Sequence, residues 1–380
     1  MDIHQQSLLP PEIWLHILNI VVQSDDDLRA DEHQPLQPPP DLQLGKRAAF
    51  IAELACVCRA WYELLLPLLC TNVKLGGEPI PLPHCVKRVI LPCALANPKI
   101  RYDPAVIVDH LRQCTQVETL CRPAEMDVEA QGAVPPAIPL PSLQRLEWCY
   151  SRSMDHLGGI HSLENTLSQC PNLRYLFVTG FTEILLVDEE TRVNVPTVET
   201  LRLRFHNDSF IHHLLSSRWS LPGLKTVILD TSPTIFRSLH CLFWNKFGRN
   251  VTRVELGKHI SFSPSDYISA CLDGCPALQE LGYYPFFITH RVPDRQAHGS
   301  LRRIRLHASP NDDLSQSEMW TLLLRHIYRF NYLGMEKLTT FVLHDNWTSF
   351  IHDSRWDGVI DSITAEGREL VLNVEHEAAV

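Results

Sequence analysis

A short pattern of apolar positions recurs along the chain beyond residue 80. Each strong copy begins with proline and places apolar side chains at its third, sixth and eighth positions, as with Leu143, Leu146 and Trp148. From Val117 to Leu301 the third position recurs every 23 to 30 residues, close to the spacing of leucine-rich repeats. The five strong copies are PSLQRLEW (141–148), PNLRYLFV (171–178), PTVETLRL (196–203), PGLKTVIL (222–229) and PALQELGY (276–283).

This spacing predicts one strand and one return helix in each repeat. Alternate side chains of a strand share a face, so the sixth and eighth positions would fill a core that stacked repeats bury together in a parallel sheet. Residues 263–274 predict a return helix with Ser263 as its N-cap, Pro264 in its first turn and Gly274 as a left-handed C-cap. The opening proline of each copy predicts an extended approach to the strand. The longer step that follows Leu301 predicts a longer helix.

Two apolar segments precede the repeats. Ile13 and Ile17 lie one helical turn apart in the first segment, and apolar residues recur every three or four positions over residues 48–69. Between them, residues 23–46 are acidic and rich in proline, which predicts an exposed loop. Two explanations stay open for these helices: they cap the first repeat, or their surplus apolar surface binds a partner.

These two segments resemble the F-box. The blocks LPPEIWLHIL (9–18) and VCRAWYELLLPLL (57–69) follow its order of Leu-Pro-x-Glu, Ile-Leu and then Val-Cys-Arg-x-Trp, and the match covers residues 8–75. The loop over 23–46 departs from a compact F-box. The resemblance implies that the apolar anchors dock a Skp-type adaptor. The adaptor-binding residues expected on this basis are Leu9, Pro10, Ile13, Ile17, Leu18, Val57 and Trp61.

The predicted fold class is therefore α/β. A small N-terminal helical, F-box-like domain (1–75) would precede a leucine-rich-repeat-like solenoid with a parallel sheet (76–380). Strand and helix alternation is also typical of a doubly wound α/β domain, although no Gly-rich phosphate loop follows a predicted strand. The resemblance implies a substrate-recognition subunit of a Skp, cullin and F-box type ubiquitin ligase. Such a subunit performs no bond chemistry but raises the local concentration of its substrate. The alternative is a leucine-rich-repeat binding or scaffold protein unrelated to ubiquitin.

The outward positions of the predicted strands carry arginine and aromatic residues. These side chains would either bind an acidic or phosphorylated segment of a protein substrate, or pair with Glu147, Glu255 and Glu280 as ordinary strand residues. Reversing the charge of Arg202 and Arg204 together would distinguish these two alternatives, because only substrate binding should be lost with the charge. The expected substrate-binding residues are Arg145, Tyr175, Phe177, Arg202, Arg204, Arg253, Tyr284, Arg303 and Arg305.

Composition narrows the function classes. The chain has 380 residues, 45% of them apolar, and its 34 basic and 44 acidic residues give a net charge of -10, which argues against a nucleic-acid binder. No signal peptide or membrane span is predicted, and the 12 scattered cysteines favour free thiols, so we expect a cytoplasmic or nuclear protein. Its histidines form no HExxH or zinc-finger spacing, and no GxSxG or Walker motif is present. We expect no enzyme activity, no metal and no cofactor.

Overall fold

The computed structural model shows an α/β protein built around a large parallel sheet. Leu9, Ser263, Pro264 and nearly all of the predicted loop over 23–46 lie outside the described residues. The residues that the structure describes are 10–23, 49–76, 79–92, 100–123, 128–130, 135–150, 158–180, 192–205, 209–216, 218–230, 237–257, 267–288, 298–309, 311–332 and 335–373.

Twelve strands form the main sheet, all of them parallel, and they lie side by side in the order in which they occur along the chain. They are β1 (Asn72–Lys74), β2 (Arg88–Ile90), β4 (Thr119–Arg122), β6 (Arg145–Tyr150), β7 (Tyr175–Gly180), β9 (Thr200–Phe205), β11 (Thr226–Leu229), β12 (Arg253–Leu256), β13 (Glu280–Tyr283), β14 (Arg303–His307), β15 (Thr340–His344) and β16 (Glu369–Asn373). Two further parallel pairs join β3 (Ile100–Tyr102) to β5 (Val128–Ala130), and β8 (Arg192–Asn194) to β10 (Arg218–Ser220).

The strand register stacks the recurring apolar positions in rows. Leu146 pairs with Leu176, Leu176 with Leu201, and Leu201 with Val227. The eighth positions form a second row that begins at Trp148, and the members of both rows between β6 and β11 are at most 1% exposed. Full burial of each such side chain contributes about 2 kcal/mol. The predicted strands and their shared apolar face are therefore confirmed.

A tight turn precedes each strand of a strong copy. The backbone N–H of Leu143 donates to the carbonyl of Leu140 at 3.2 Å, with Pro141 between them. Proline suits this place because its fixed φ matches the second position of a β-turn. The same bond recurs at Leu173, Val198, Leu224 and Leu278.

Helices return the chain between most of the strands and share the buried core with the apolar rows. In the return helix predicted at 263–274, the described part is Tyr267–Gly274, and its expected apolar face is buried. Across the described residues the helices are α1 (Pro11–Gln23), α2 (49–55), α3 (Arg59–Leu69), α4 (Pro104–Gln113), α5 (Leu163–Ser168), α6 (Ser209–Ser216), α7 (Arg237–Phe247), α8 (Tyr267–Gly274), α9 (Gln316–Tyr332), α10 (Thr348–Ile351) and α11 (Trp356–Thr364).

Gly274 corrects one sequence-based expectation. It is the last residue of α8, and it is not among the described residues with a positive φ, so it is no left-handed C-cap. A Cβ at Gly274 would instead collide with Trp244 of α7. Glycine therefore allows the two neighbouring helices to approach closely.

The longer step after Leu301 contains the 17-residue helix α9, as predicted. It begins with a reciprocal cap: the backbone N–H of Ser315 donates to the Glu318 carboxylate at 2.8 Å, and the Glu318 N–H donates to Ser315 Oγ at 3.3 Å. Among the helices in the described ranges, none combines the length and the apolar character needed to cross a bilayer.

Candidate functional site

The N-terminal helices form a small hydrophobic cluster of their own. Leu18 of α1 is 2% exposed and packs with Ile51, Ala55 and Leu65, and this group is separate from the core of the large sheet. Because Leu18 is buried within its own chain, it stabilises the helices and is not available to a partner, which corrects its expected role as an adaptor contact.

Other apolar side chains of these helices and of the turn between α2 and α3 are exposed to solvent. Ile13 is 44% exposed and Val57 is 62% exposed. Contiguous patches of exposed apolar side chains mark interaction sites, so we group these side chains as a candidate interaction surface. We call this set the N-terminal apolar surface; its described members are Ile13, Leu15, Ile20, Phe50, Val57 and Tyr62.

The remaining expected adaptor contacts differ in their exposure. Pro10 is exposed, whereas Ile17 and Trp61 are half-buried. The rings of Trp61 and Trp14 lie 5.4 Å apart at a tilted angle, and Trp61 packs against the cluster around Leu18. Trp61 therefore joins α1 to α3 as well as reaching the surface.

The second candidate surface is the sheet face opposite the apolar rows. The strand register places its side chains in columns, so that Arg145 stands beside Tyr175, and Glu147 stands beside Phe177 and then Arg202. All nine residues expected to bind substrate belong to this part of the molecule, with Tyr284 immediately after β13. The structure shows which of these side chains are already engaged.

Glu147 is the centre of the first charged group. Its side chain is 7% exposed and lies 3.0 Å from Arg88 and 2.6 Å from Arg145. Burial alone would raise the pKa of Glu147, but the two arginines outweigh burial and lower it. The Arg145 guanidinium also lies over the Tyr175 ring, 4.0 Å from its centroid. Arg145 is thus held in place from two sides.

Asp230 is the centre of the second charged group and forms ion pairs with two arginines. Its side chain is fully buried and lies 2.6 Å from Arg202 and 3.1 Å from Arg204. Both guanidinium groups also lie over the Phe177 ring, at 5.0 Å and 5.8 Å from its centroid. A Cβ at Gly257, immediately after the neighbouring strand β12, would collide with the Asp230 carboxylate. Asp230 therefore binds the two arginines that were expected to recognise an acidic substrate.

Glu255 is the centre of the third charged group. Its side chain is 1% exposed and is approached by Arg253 at 3.3 Å, His307 at 3.4 Å and Arg305 at 3.6 Å. Space for the carboxylate comes from Gly282 on β13, where a Cβ would overlap Glu255. Burial would raise the pKa of Glu255, but the charged neighbours outweigh burial and lower it. Glu255 is therefore an anion at neutral pH.

His307 is one of the cations that lie next to the Glu255 carboxylate. Its ring stacks between Tyr284, at 4.9 Å, and His344, at 5.0 Å. Burial disfavours the charged ring, but Asp345 and Glu255 outweigh burial and raise the pKa of His307 to about 9. Burial and the charge of His307 lower the pKa of His344 to about 4. One histidine of the stacked pair is charged at neutral pH and the other is neutral.

Ion pairing accounts for the expected substrate-binding arginines. Arg303 also has a carboxylate partner, Glu280, at 2.6 Å. Three of the expected residues are almost fully buried: Tyr175 is 2% exposed, Arg202 9% and Tyr284 1%. Their expected direct contact with a substrate is therefore corrected, since these side chains pack beneath the surface of the face. The arginines are paired with carboxylates, as one of the two alternatives expected, and some still reach solvent; binding of an acidic or phosphorylated segment stays a prediction. The expected residues that keep intermediate or full exposure are Arg145, Phe177, Arg204, Arg253, Arg303 and Arg305.

Sequence reasoning missed a polar pocket at the amino ends of the strands. It has a volume of about 330 Å³ and includes residues that stand just before β4, β6, β7 and β9, outside the predicted outward positions. A signal for them was present, since each occupies the fourth position of the repeated pattern. The lining residues are Glu118, Thr119, Gln144, Arg145, Arg174, Glu199 and Thr200.

Comparisons with known proteins identify no family. No protein-family model and no curated protein matches the chain. Among solved structures, the chain is similar to the crystal structure of a protein from Bacteroides fragilis that was a structural genomics target. The two share 11% identity over 80% of this chain and 74% of the other, with a TM-score of 0.37. A similarity at this level carries no argument about function. Within the described residues, no group of three or more His, Cys, Asp or Glu could hold a metal ion.

Proposed function

We propose that this protein is a substrate receptor of a Skp, cullin and F-box type ubiquitin ligase. Residues 1–75 act as an F-box-like domain that docks a Skp-type adaptor, and residues 76–380 form a leucine-rich-repeat-like solenoid that holds a protein substrate on its sheet face. The protein itself carries out no bond chemistry. It brings a substrate lysine close to activated ubiquitin by raising the local concentration.

The observation that carries this proposal is the N-terminal apolar surface. Ile13 and Val57 belong to the two F-box-like blocks and are 44% and 62% exposed, although both are apolar. Covering such side chains with a partner removes apolar surface from water, and a few anchors of this kind dominate the energy of an interface. Their neighbour Leu18 is buried, so the helices have a core without them.

The parallel sheet supports the second half of the proposal. Twelve strands lie in sequence order, and the eight from β4 to β14 recur every 23 to 30 residues, which is typical of a repeat array in which each unit packs only on its neighbours. Such arrays present a long continuous face to a partner. The doubly wound alternative is less compatible with this order, since strands of a doubly wound sheet run outward in both directions from a switch point.

The test is co-purification of the full-length chain with a Skp-type adaptor. The double variant Ile13→Glu and Val57→Glu should lose the adaptor, because it places two charges in the proposed interface. A matched control replaces Leu324, which is 39% exposed on α9, by Glu and should bind the adaptor as the wild type does. Absence of a complex with wild-type protein, or equal binding by the double variant, would refute the adaptor role.

The alternative from the sequence is a repeat protein that binds partners without ubiquitin. It shares the sheet face but assigns no adaptor to the N-terminal helices, which would then serve as the cap of the first repeat. Substrate capture that persists in the double variant, together with no adaptor complex for the wild type, would favour this alternative.

A further inference from the structure

The last strand of the sheet leaves the apolar core open at one end. The second apolar row runs through Leu306 and Leu343 to Leu372 of β16. Leu306 is 1% exposed and Leu343 2%, whereas Leu372 is 47% exposed. β16 pairs with β15 on one side, and no described strand pairs with its other side. Within the described residues, the row therefore ends without a further unit to cover it.

The opposite end of the sheet is closed by its own chain. Leu75, directly after β1, is 2% exposed and belongs to the main core. β1 has three residues and ends with the exposed Lys74, and both short length and lysine discourage an edge strand from pairing with another chain. β16 has five residues, of which only Glu369 is charged. Of the two edges, β16 is therefore the one that a further strand can extend.

The backbone of β16 has hydrogen-bonding groups for such a strand. The Glu369 N–H donates to the carbonyl of Thr339, just before β15, at 2.8 Å. In a strand the N–H and C=O groups of successive residues point to alternate sides. The backbone groups of Leu370 and Leu372 therefore point to the open edge.

The sequence of β16, ELVLN (369–373), is complementary to itself in the antiparallel direction. With a two-fold axis at Val371, Leu370 stands opposite Leu372 of a second copy. These are the residues whose backbone groups point to the open edge, so hydrogen bonds and apolar contacts form between the same residues. In this register Glu369 stands opposite the uncharged residue Asn373, so no like charges meet across the two strands.

Helix α11 adds an apolar side chain at the same end of the molecule. α11 packs on β16, and Ser362 accepts a hydrogen bond from Asn331 of α9 at 2.7 Å, so Ser362 faces α9. Ile360 precedes Ser362 by two residues and is therefore turned from it by about 200° around the helix axis. Ile360 is 36% exposed on this side, away from α9.

We propose that a second copy of this chain pairs with β16, so that the two parallel sheets continue edge to edge across a two-fold axis. Closed two-fold dimers in which the same patch of both subunits meets are the commonest homo-oligomers. An axis normal to the sheet keeps both outer sheet faces on one side of the dimer. Two binding faces would then lie side by side, and a partner with two binding segments would gain affinity from both. The inference does not depend on adaptor binding.

The first test is sedimentation equilibrium of the full-length chain. The mass of the wild type should rise with concentration from 43.4 kDa towards twice that value. Leu372→Glu should raise the dimer dissociation constant by about a hundredfold or more, because each dimer contains the change twice and each charge replaces an apolar anchor. The matched control is Leu242→Glu, at a residue that is 53% exposed on α7, and it should dimerise as the wild type does.

The second test reports the register without relying on a charged variant. In Val371→Cys the two thiols of a dimer would lie opposite each other at a non-hydrogen-bonded pair, close enough for a disulfide to form under mild oxidation. Glu369→Cys is the matched control, because its two thiols would be about 14 Å apart along the strands and could not be joined. The wild type, in which Cys56 and Cys58 are exposed, shows the background from other thiols.

The inference is overturned if Leu372→Glu dimerises as the wild type does, if Leu242→Glu loses the dimer equally, or if Glu369→Cys is cross-linked as readily as Val371→Cys. A wild type that stays at the mass of one chain also overturns it. Slow hydrogen exchange of β16 in that monomer would then assign the edge to residues 374–380. Leu372→Glu should still co-purify with the adaptor, so failure of the dimer and failure of the adaptor role are distinguishable.

Discussion

The charged His307 ring predicts a specific pH dependence of stability. In the unfolded chain a histidine titrates near 6.5, whereas folding raises the pKa of His307 to about 9 because Asp345 and Glu255 outweigh burial. Its contribution to stability is therefore fully present below pH 6.5 and is lost as the pH rises through about 9. The difference between the two values corresponds to about 3 kcal/mol of unfolding free energy.

The perturbation that isolates this contribution is His307→Phe. Phenylalanine keeps an aromatic ring between Tyr284 and His344 but cannot be protonated. Urea unfolding of wild type and variant between pH 6.5 and 9.5, at one ionic strength, gives the difference in unfolding free energy at each pH. We expect this difference to shrink by about 3 kcal/mol over the range, because the variant lacks the titrating group.

Comparison with the variant cancels other groups that titrate in the same range, such as cysteines in the unfolded chain. His352→Phe, at an exposed position after α10, is the matched control and should show the pH dependence of the wild type. A wild-type-minus-variant difference that is constant from pH 6.5 to 9.5 would refute the ion pairing of His307 with Glu255.

The other stability predictions concern packing. Leu18→Ala should lower the unfolding free energy of the N-terminal helices by about 3 kcal/mol, because it leaves a cavity in a small core. Ile13→Ala should lower it by well under 1 kcal/mol, since Ile13 is exposed. Resistance of the helices to proteolysis measures both effects, and equal effects would contradict the difference in burial. Gly282→Ala should cost about 2 kcal/mol in urea unfolding, because the new Cβ displaces the Glu255 carboxylate. Gly299→Ala, with nothing within 4 Å, is its control, and equal stabilities would show that Glu255 does not occupy that space.

Much of the sheet could be predicted because its signal is local. The alternation of Leu146 and Trp148 with outward residues fixes both faces of a strand, and the recurring spacing predicts how many similar strands follow. The opening proline marked each strand start, although its structural role is the second position of a turn rather than only an extended approach. These features depend on residues close together in sequence.

The ion pairs of the arginines on the sheet face could not all be predicted, because they join residues that are far apart in the chain. Arg202 meets Asp230 across 28 residues, and Arg88 meets Glu147 across 59. Which arginines of the sheet face are held by a buried carboxylate follows from those pairings. In the N-terminal helices, the apolar pattern indicated one wide surface, but it could not separate buried Leu18 from exposed Ile13.

We propose that a second polypeptide covers the N-terminal apolar surface while the sheet face stays open for a substrate. Hydrogen–deuterium exchange of the full-length chain, with and without a Skp-type adaptor, tests this most directly. We expect added protection over residues 10–23 and 49–69, which contain α1, α2 and α3, and none over β6 to β15. Unchanged exchange in these helices, or protection spread over the strands, would contradict it.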